Sequence, residues 1–234
     1  MNKLLQILVI AVFIPLCANA AIIGDVQLTL KYSSPTGYVT FPSPTGYGNY
    51  YLDYDVMLNN SGTYVEAFCV ENRNAPTTTS NYTLLTIDAG LSAFGLNVNK
   101  YLTAAAIADY FFTNFEGTAS EESIKAGSQI AIWETIFDPA FNLGSGSFMA
   151  SNAYSAYAVN IWNAVNTAGV PNASYTWALA VNPMVTAGYS IDVSGYQNYL
   201  VRYETSAPVP EPATLMLLGS GLLGLAGFRK RNQK

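Results

Sequence analysis

Two apolar, uncharged runs near the ends of the chain, residues 4–16 and 213–228, decide which part of it can fold in water. The first follows Lys3 and leads into Ala18-Asn19-Ala20. A basic start, an apolar stretch and a small-residue cut site make residues 1–20 read as a secretory signal peptide that the mature protein lacks. Cys17 is lost with it, because Leu16 is too large for a lipoprotein cleavage site. The second run spans roughly 24 Å at about 1.5 Å per residue, somewhat less than the ~30 Å hydrocarbon core, and reads as a transmembrane helix helped by its flanks. Residues 229–234 form a basic tail with Arg229, Lys230, Arg231 and Lys234, and such a tail stays cytoplasmic when the amino end has been exported. A folded body is therefore expected over residues 21–205, joined to the helix by a linker, 206–212.

The order Pro210-Glu211-Pro212, apolar helix, basic terminus closely resembles the PEP-CTERM sorting signal of Gram-negative bacteria. That resemblance implies a transient stay in the inner membrane through the helix. It also implies processing near the Pro-Glu-Pro motif by exosortase, a membrane cysteine protease, and delivery to the cell surface or extracellular matrix.

Between the two terminal signals, fourteen acidic residues face five basic ones, a net charge of minus nine that disfavours nucleic acid as a partner. The chain has no histidine. This removes the imidazole of Ser-His-Asp and Cys-His nucleophile pairs, the usual general base near neutral pH, and the commonest zinc ligand. Asp53 and Asp55 fall on one face of a strand, and Glu121 with Glu122 open a helix, which are ordinary places for a solvated strand face and a favourable helix-end charge. No carboxylate pair can be placed at the separation a glycosidase needs, so the expectation is no enzyme, no cofactor and no metal.

Alternation of Val26, Leu28, Leu30 and Tyr32, and of Tyr64, Glu66, Phe68 and Val70, predicts short strands up to about Asp88. The duplicated SPTGY, at 34–38 and 43–47, reads as two related turns flanking YVTF. Helices follow. Asn99 can cap a run over 100–115, and Thr118 with Glu121 has the pattern of a capping box for a helix that stops at Asp138-Pro139. Tyr154, Tyr157, Ala158, Ile161, Trp162 and Val165 mark a third helix, ended by Gly169 and Pro171. Strands return in 175–181, 189–193 and 197–204. The fold class expected is α+β: antiparallel strands, sandwich or barrel-like, with a three-helix block between early and late strands.

In the second helix Ala126, Ile130, Trp133 and Phe137 recur along one apolar face, and Gln129 sits inside that stripe. A neutral amide there needs a partner, and hydrogen bonding to backbone is its ordinary fate. Cys69 is the one cysteine left after export. In an oxidising compartment it can be an inert buried thiol, an intermolecular disulfide or a group with a chemical role.

Phe68-Cys69-Val70, followed by Ser128-Gln129-Ile130-Ala131-Ile132-Trp133-Glu134, resembles the thioester domains of bacterial surface proteins, in which an aromatic-Cys-aliphatic strand faces a Thr-Gln-x-Ala-Ile-Trp helix. Gln197-Asn198-Tyr199-Leu200-Val201 is similar to that family's closing strand. The resemblance implies that Cys69 and Gln129 join, with loss of ammonia, into an internal thioester, shielded by Phe68 and Trp133. It implies attachment to an amine, chiefly a lysine, of a surface or matrix protein. Ser128 stands where that family has threonine, and the long stalk of its adhesins has no counterpart between Pro171 and the terminal helix. The alternative is a noncovalent structural matrix protein, sorted by the same signal, with Cys69 a plain buried thiol and a Tyr-rich surface making the contacts.

Overall fold

The computed structural model describes residues 22–42, 46–168, 177–182 and 195–202, all within one compact unit that ends at Arg202. Four strands come first: β1 (Ile22–Thr40), β2 (Tyr47–Leu58), β3 (Val65–Cys69) and β4 (Ser80–Thr86). A short 3-10 helix, Ala89–Phe94, leads into α1 (Val98–Phe115) and α2 (Glu121–Phe137). The two-residue strand β5 (Met149–Ala150), α3 (Ser155–Ala168), β6 (Trp177–Val181) and β7 (Tyr199–Arg202) complete the order. The α+β class and the helical block between early and late strands are as the sequence predicts. The predicted strand at 189–193 lies outside the described residues.

Every pairing is antiparallel, and the pairings return to their start: β1 to β2, β2 to β3, β3 to β7, β7 to β6, β6 to β4 and β4 to β1. The sheet is thus a closed barrel, which leaves few open edges for another chain to pair with. β1 makes closure possible by its 19-residue length: Leu28 pairs with Ser80 of β4 and with Leu58 of β2, one on each edge. Its far end continues as a ribbon with β2 and also carries β5.

The first SPTGY copy corrects an expectation. It is no turn but an irregularity inside β1, with the register shifting between Ser33 and Thr36 where Pro35 lacks the N–H that a ladder needs. Only the second copy adjoins a chain reversal, closed by the Phe41 N–H bonding to the Gly46 carbonyl at 3.0 Å.

The helix caps also differ in detail. Asn97, two residues before the expected Asn99, caps α1 by accepting from the Lys100 N–H. At α2 the Glu121 carboxylate reaches back to the Gly117 N–H at 2.6 Å, while Thr118 donates to the Phe115 carbonyl and so makes no reciprocal box. The α2 end falls before Pro139, as predicted.

α2 is the centre of the molecule. Every residue from Ile124 to Glu134 is buried, so the single apolar stripe read from periodicity is too narrow a description. A helix covered on all sides needs neighbours all round, and α2 has α1, α3 and strands β1, β2 and β3. Gly127 lets α3 approach: a Cβ there would sit 2.5 Å from the Tyr157 Cβ. The outer face of the barrel buries Phe68 against Phe111 of α1 and Trp177 of β6, at ring distances of 5.9 and 6.2 Å. A second aromatic cluster joins Phe41, Trp133 and Phe148, with Phe41 and Trp133 4.9 Å apart edge to face.

Candidate functional site

Two strands part company at the end of β3, and that is where the site is built. The β2–β3 ladder runs through Val56↔Val65, Asp55↔Glu66 and Tyr54↔Ala67 and stops there. β3 itself goes on to Cys69, paired on its other edge with Tyr199 of β7. Since the Val70 N–H bonds to the Asn198 carbonyl on the β7 side, the alternate residue Cys69 turns its N–H and C=O toward the edge that β2 has left. Buried and unmatched, those two groups would be costly.

Gln129 fills the gap. Its carboxamide Oε1 accepts from the Cys69 N–H at 2.9 Å, and its Nε2 donates to the Cys69 carbonyl at 2.7 Å. The side chain therefore does for Cys69 what a peptide group of a neighbouring strand does elsewhere in a ladder. Both residues are fully buried. The amide that periodicity placed among apolar neighbours thus meets the one free cysteine of the described residues, from sixty positions away in the chain.

The thiol is held as a neutral group. Burial pushes Cys69 up to about 12, opposed only in part by the Glu71 carbonyl and the Trp133 indole beside it. Its Sγ donates to that Glu71 carbonyl at 2.9 Å. The turn bearing Glu71 is itself anchored: Arg73 Nε bonds to one carboxylate oxygen, and Asn198 Nδ2 donates to the other at 2.7 Å. Trp133, one helical turn beyond Gln129, is completely buried, with its indole beside the Cys69 thiol.

Strand alternation puts Cys69 on the face of Tyr54, and Tyr199 lies opposite it. These two rings and Tyr82 contact one another inside the barrel. Burial raises all three phenols well above their ordinary range, and each also feels the Cys69 thiol. Phe68 points the other way, onto Phe111 and Trp177. The aromatic surroundings of the sulfur are therefore Trp133 and three tyrosines. Sequence reasoning missed those tyrosines, and Glu71 and Arg73 with them, because nothing in local spacing marks them.

Ser128 is buried and donates to the Ile124 carbonyl of its own helix, so its hydroxyl is spent on α2. One turn before Gln129, Lys125 forms ion pairs with Asp53, Asp55 and Glu66. The three carboxylates come close enough together to suit a cation, and the Lys125 ammonium occupies that place. Burial alone would lower the lysine, but Glu66 and Asp53 outweigh it and hold its pKa above the ordinary value. Glu66 in turn is pushed by burial up to about 7. The cluster ties α2 to β2 and β3 next to the Cys69–Gln129 contact.

The carboxyl end has a separate identity. Residues 208–231 match the PEP-CTERM protein-sorting motif. The PEP-CTERM match takes in Pro210, Glu211 and Pro212 together with the apolar run and the basic residues after it, and makes this an exported protein that exosortase processes. These residues, like the expected signal peptide at 1–20, the expected linker and the predicted transmembrane helix at 213–228, lie outside the described residues. Among the described residues no helix is long and apolar enough to cross a membrane. Neither a curated protein nor a solved structure matches the chain. The PEP-CTERM motif specifies routing, so the activity of the body has to be argued from its own geometry.

Proposed function

We propose that the body is a covalent attachment domain at the cell surface or in the extracellular matrix, using an internal thioester between Cys69 and Gln129. In its formation the Cys69 sulfur adds to the Gln129 side-chain carbonyl carbon, the carbon–nitrogen bond breaks, and the thiol proton leaves with the amide nitrogen as ammonia. The observation that carries this reading is the Cys69 N–H directed at Gln129 Oε1 at 2.9 Å. A fixed N–H there stabilises the negative charge that develops on that oxygen when sulfur adds, and again when an amine later attacks. Complete burial of both groups, with Trp133 close by, keeps water from the bond.

An incoming lysine amine would form the new carbon–nitrogen bond as the carbon–sulfur bond breaks, and its proton would return to sulfur. The product is an isopeptide cross-link, made once per molecule. With no histidine to deprotonate a hydroxyl, amines react in preference to sugars. The test is the intact mass of the purified protein. A mass one ammonia below the sequence value, rising by one whole methylamine on treatment with that amine, is the expected result, with both changes absent in Cys69→Ala and Gln129→Ala. Full sequence mass with no adduct refutes the proposal and leaves Gln129 as a strand-edge partner only, in a noncovalent matrix protein.

A further inference from the structure

We propose that the cavity where the three helices meet binds an uncharged saccharide. It lies at the start of α1, the end of α2 and the middle of α3, has a volume of about 400 Å³, and is lined by Asn97, Asn99, Thr135, Trp162 and Asn166 among others. A volume of that order suits a small ligand. Trp162 is half-buried and stacks on Phe141 with ring centres 4.7 Å apart, which fixes the indole at the cavity wall. The sequence pattern places Trp162 in the packing stripe of α3, yet Ala158, Ile161 and Val165 fill that role, and the indole is left at the cavity.

The polar groups on the lining decide the ligand class. The carboxamides of Asn99 and Asn166 and the indole N–H of Trp162 have no partner among the described residues, so neutral donors and acceptors face the space. The charged side chains there are already engaged. Lys100 donates to the Ile136 carbonyl at 2.7 Å, and Asp138 accepts the Ser147 and Phe148 N–H groups, each at 2.7 Å. These two charges are of opposite sign and leave the lining with no net charge to favour a charged ligand, and a purely apolar one would strip the amides of water without replacing their hydrogen bonds. A sugar ring meets both demands: its C–H face lies on an aromatic ring while its hydroxyls pair with neutral amides. This site is independent of the thioester, although α2 supplies residues to both.

Isothermal titration calorimetry of the full chain in mild detergent tests this, with maltohexaose, cellohexaose, laminarihexaose and hexa-N-acetylchitohexaose as neutral ligands and an alginate hexasaccharide as a charged one. Saturable binding of at least one neutral sugar is expected. It should weaken at least tenfold in Trp162→Ala and in the double variant Asn99→Ala/Asn166→Ala, whose exposed positions leave the fold intact by circular dichroism. Binding of none of the neutral sugars, equally tight binding of alginate, or undiminished binding in the folded double variant overturns the proposal.

Discussion

Replacing Gln129 by Leu and Cys69 by Ala separates the structural duty of the glutamine from its chemistry. Both variants lose one partner of the proposed thioester, so neither can lack ammonia or take up methylamine. Their stabilities should differ. Cys69→Ala keeps the backbone N–H and C=O of residue 69 and both bonds to the carboxamide, so its cost is a small buried side-chain truncation, about 1 kcal/mol. Gln129→Leu removes the acceptor at 2.9 Å and the donor at 2.7 Å together and leaves two buried backbone groups unmatched. At about 1–3 kcal/mol for each orphaned group, the loss is about 2–6 kcal/mol. With a urea slope of about 2 kcal/mol per molar, the Gln129→Leu midpoint should lie about 1–3 M below that of the parent chain with its carboxamide intact. Urea unfolding followed by fluorescence, with intact mass of the same samples, measures both. A Gln129→Leu protein as stable as Cys69→Ala would mean that the carboxamide does not hold the end of β3. An amine adduct in either variant would mean that the acyl group lies elsewhere.

Lys125→Ala leaves Asp53, Asp55 and Glu66 facing one another without their buried cation, and should cost about 3–5 kcal/mol at pH 8. That loss should shrink toward pH 5 as Glu66, which burial pushes up to about 7, takes up a proton, and urea midpoints at the two pH values will read it. Glu134 is fully buried, with one carboxylate oxygen lacking a partner among the described residues, and burial pushes it up to about 7. Because the folded state holds this proton more tightly than the unfolded one, its contribution is complete below about pH 4.5 and is lost as pH rises through about 7. Glu134→Gln should therefore match the parent protein near pH 4.5 and exceed it by about 1–3 kcal/mol at pH 8, by thermal or urea unfolding. Gly127→Ala should destabilise by about 1–3 kcal/mol in the same assay despite the better helix propensity of alanine, since its Cβ would meet the Tyr157 Cβ at 2.5 Å.

The sequence by itself determined the sorting tail, the α+β class and a helical block between early and late strands, because each is written in a local pattern: an apolar run, a period of two, a period near 3.6. It also singled out Cys69 and Gln129, one by being the cysteine left after export and the other by being polar within an apolar stripe. Local patterns misled where a tertiary demand outweighed them. SPTGY carries turn residues, yet its first copy is held inside β1 by pairing on both sides of Pro35. The α2 stripe predicts one buried face, yet neighbours on every side bury every residue from Ile124 to Glu134. The family resemblance makes Phe68 a cover for the sulfur, whereas strand alternation, a local pattern, turns it onto α1.

Only the tertiary structure decided that β2 leaves β3 after Ala67, so that the backbone of Cys69 is free for a side chain from α2. It also brought Tyr54, Tyr82 and Tyr199 to the thiol from three different strands. A barrel is closed by contacts between residues far apart in the chain, and such contacts leave no mark at the spacing of a single strand or helix.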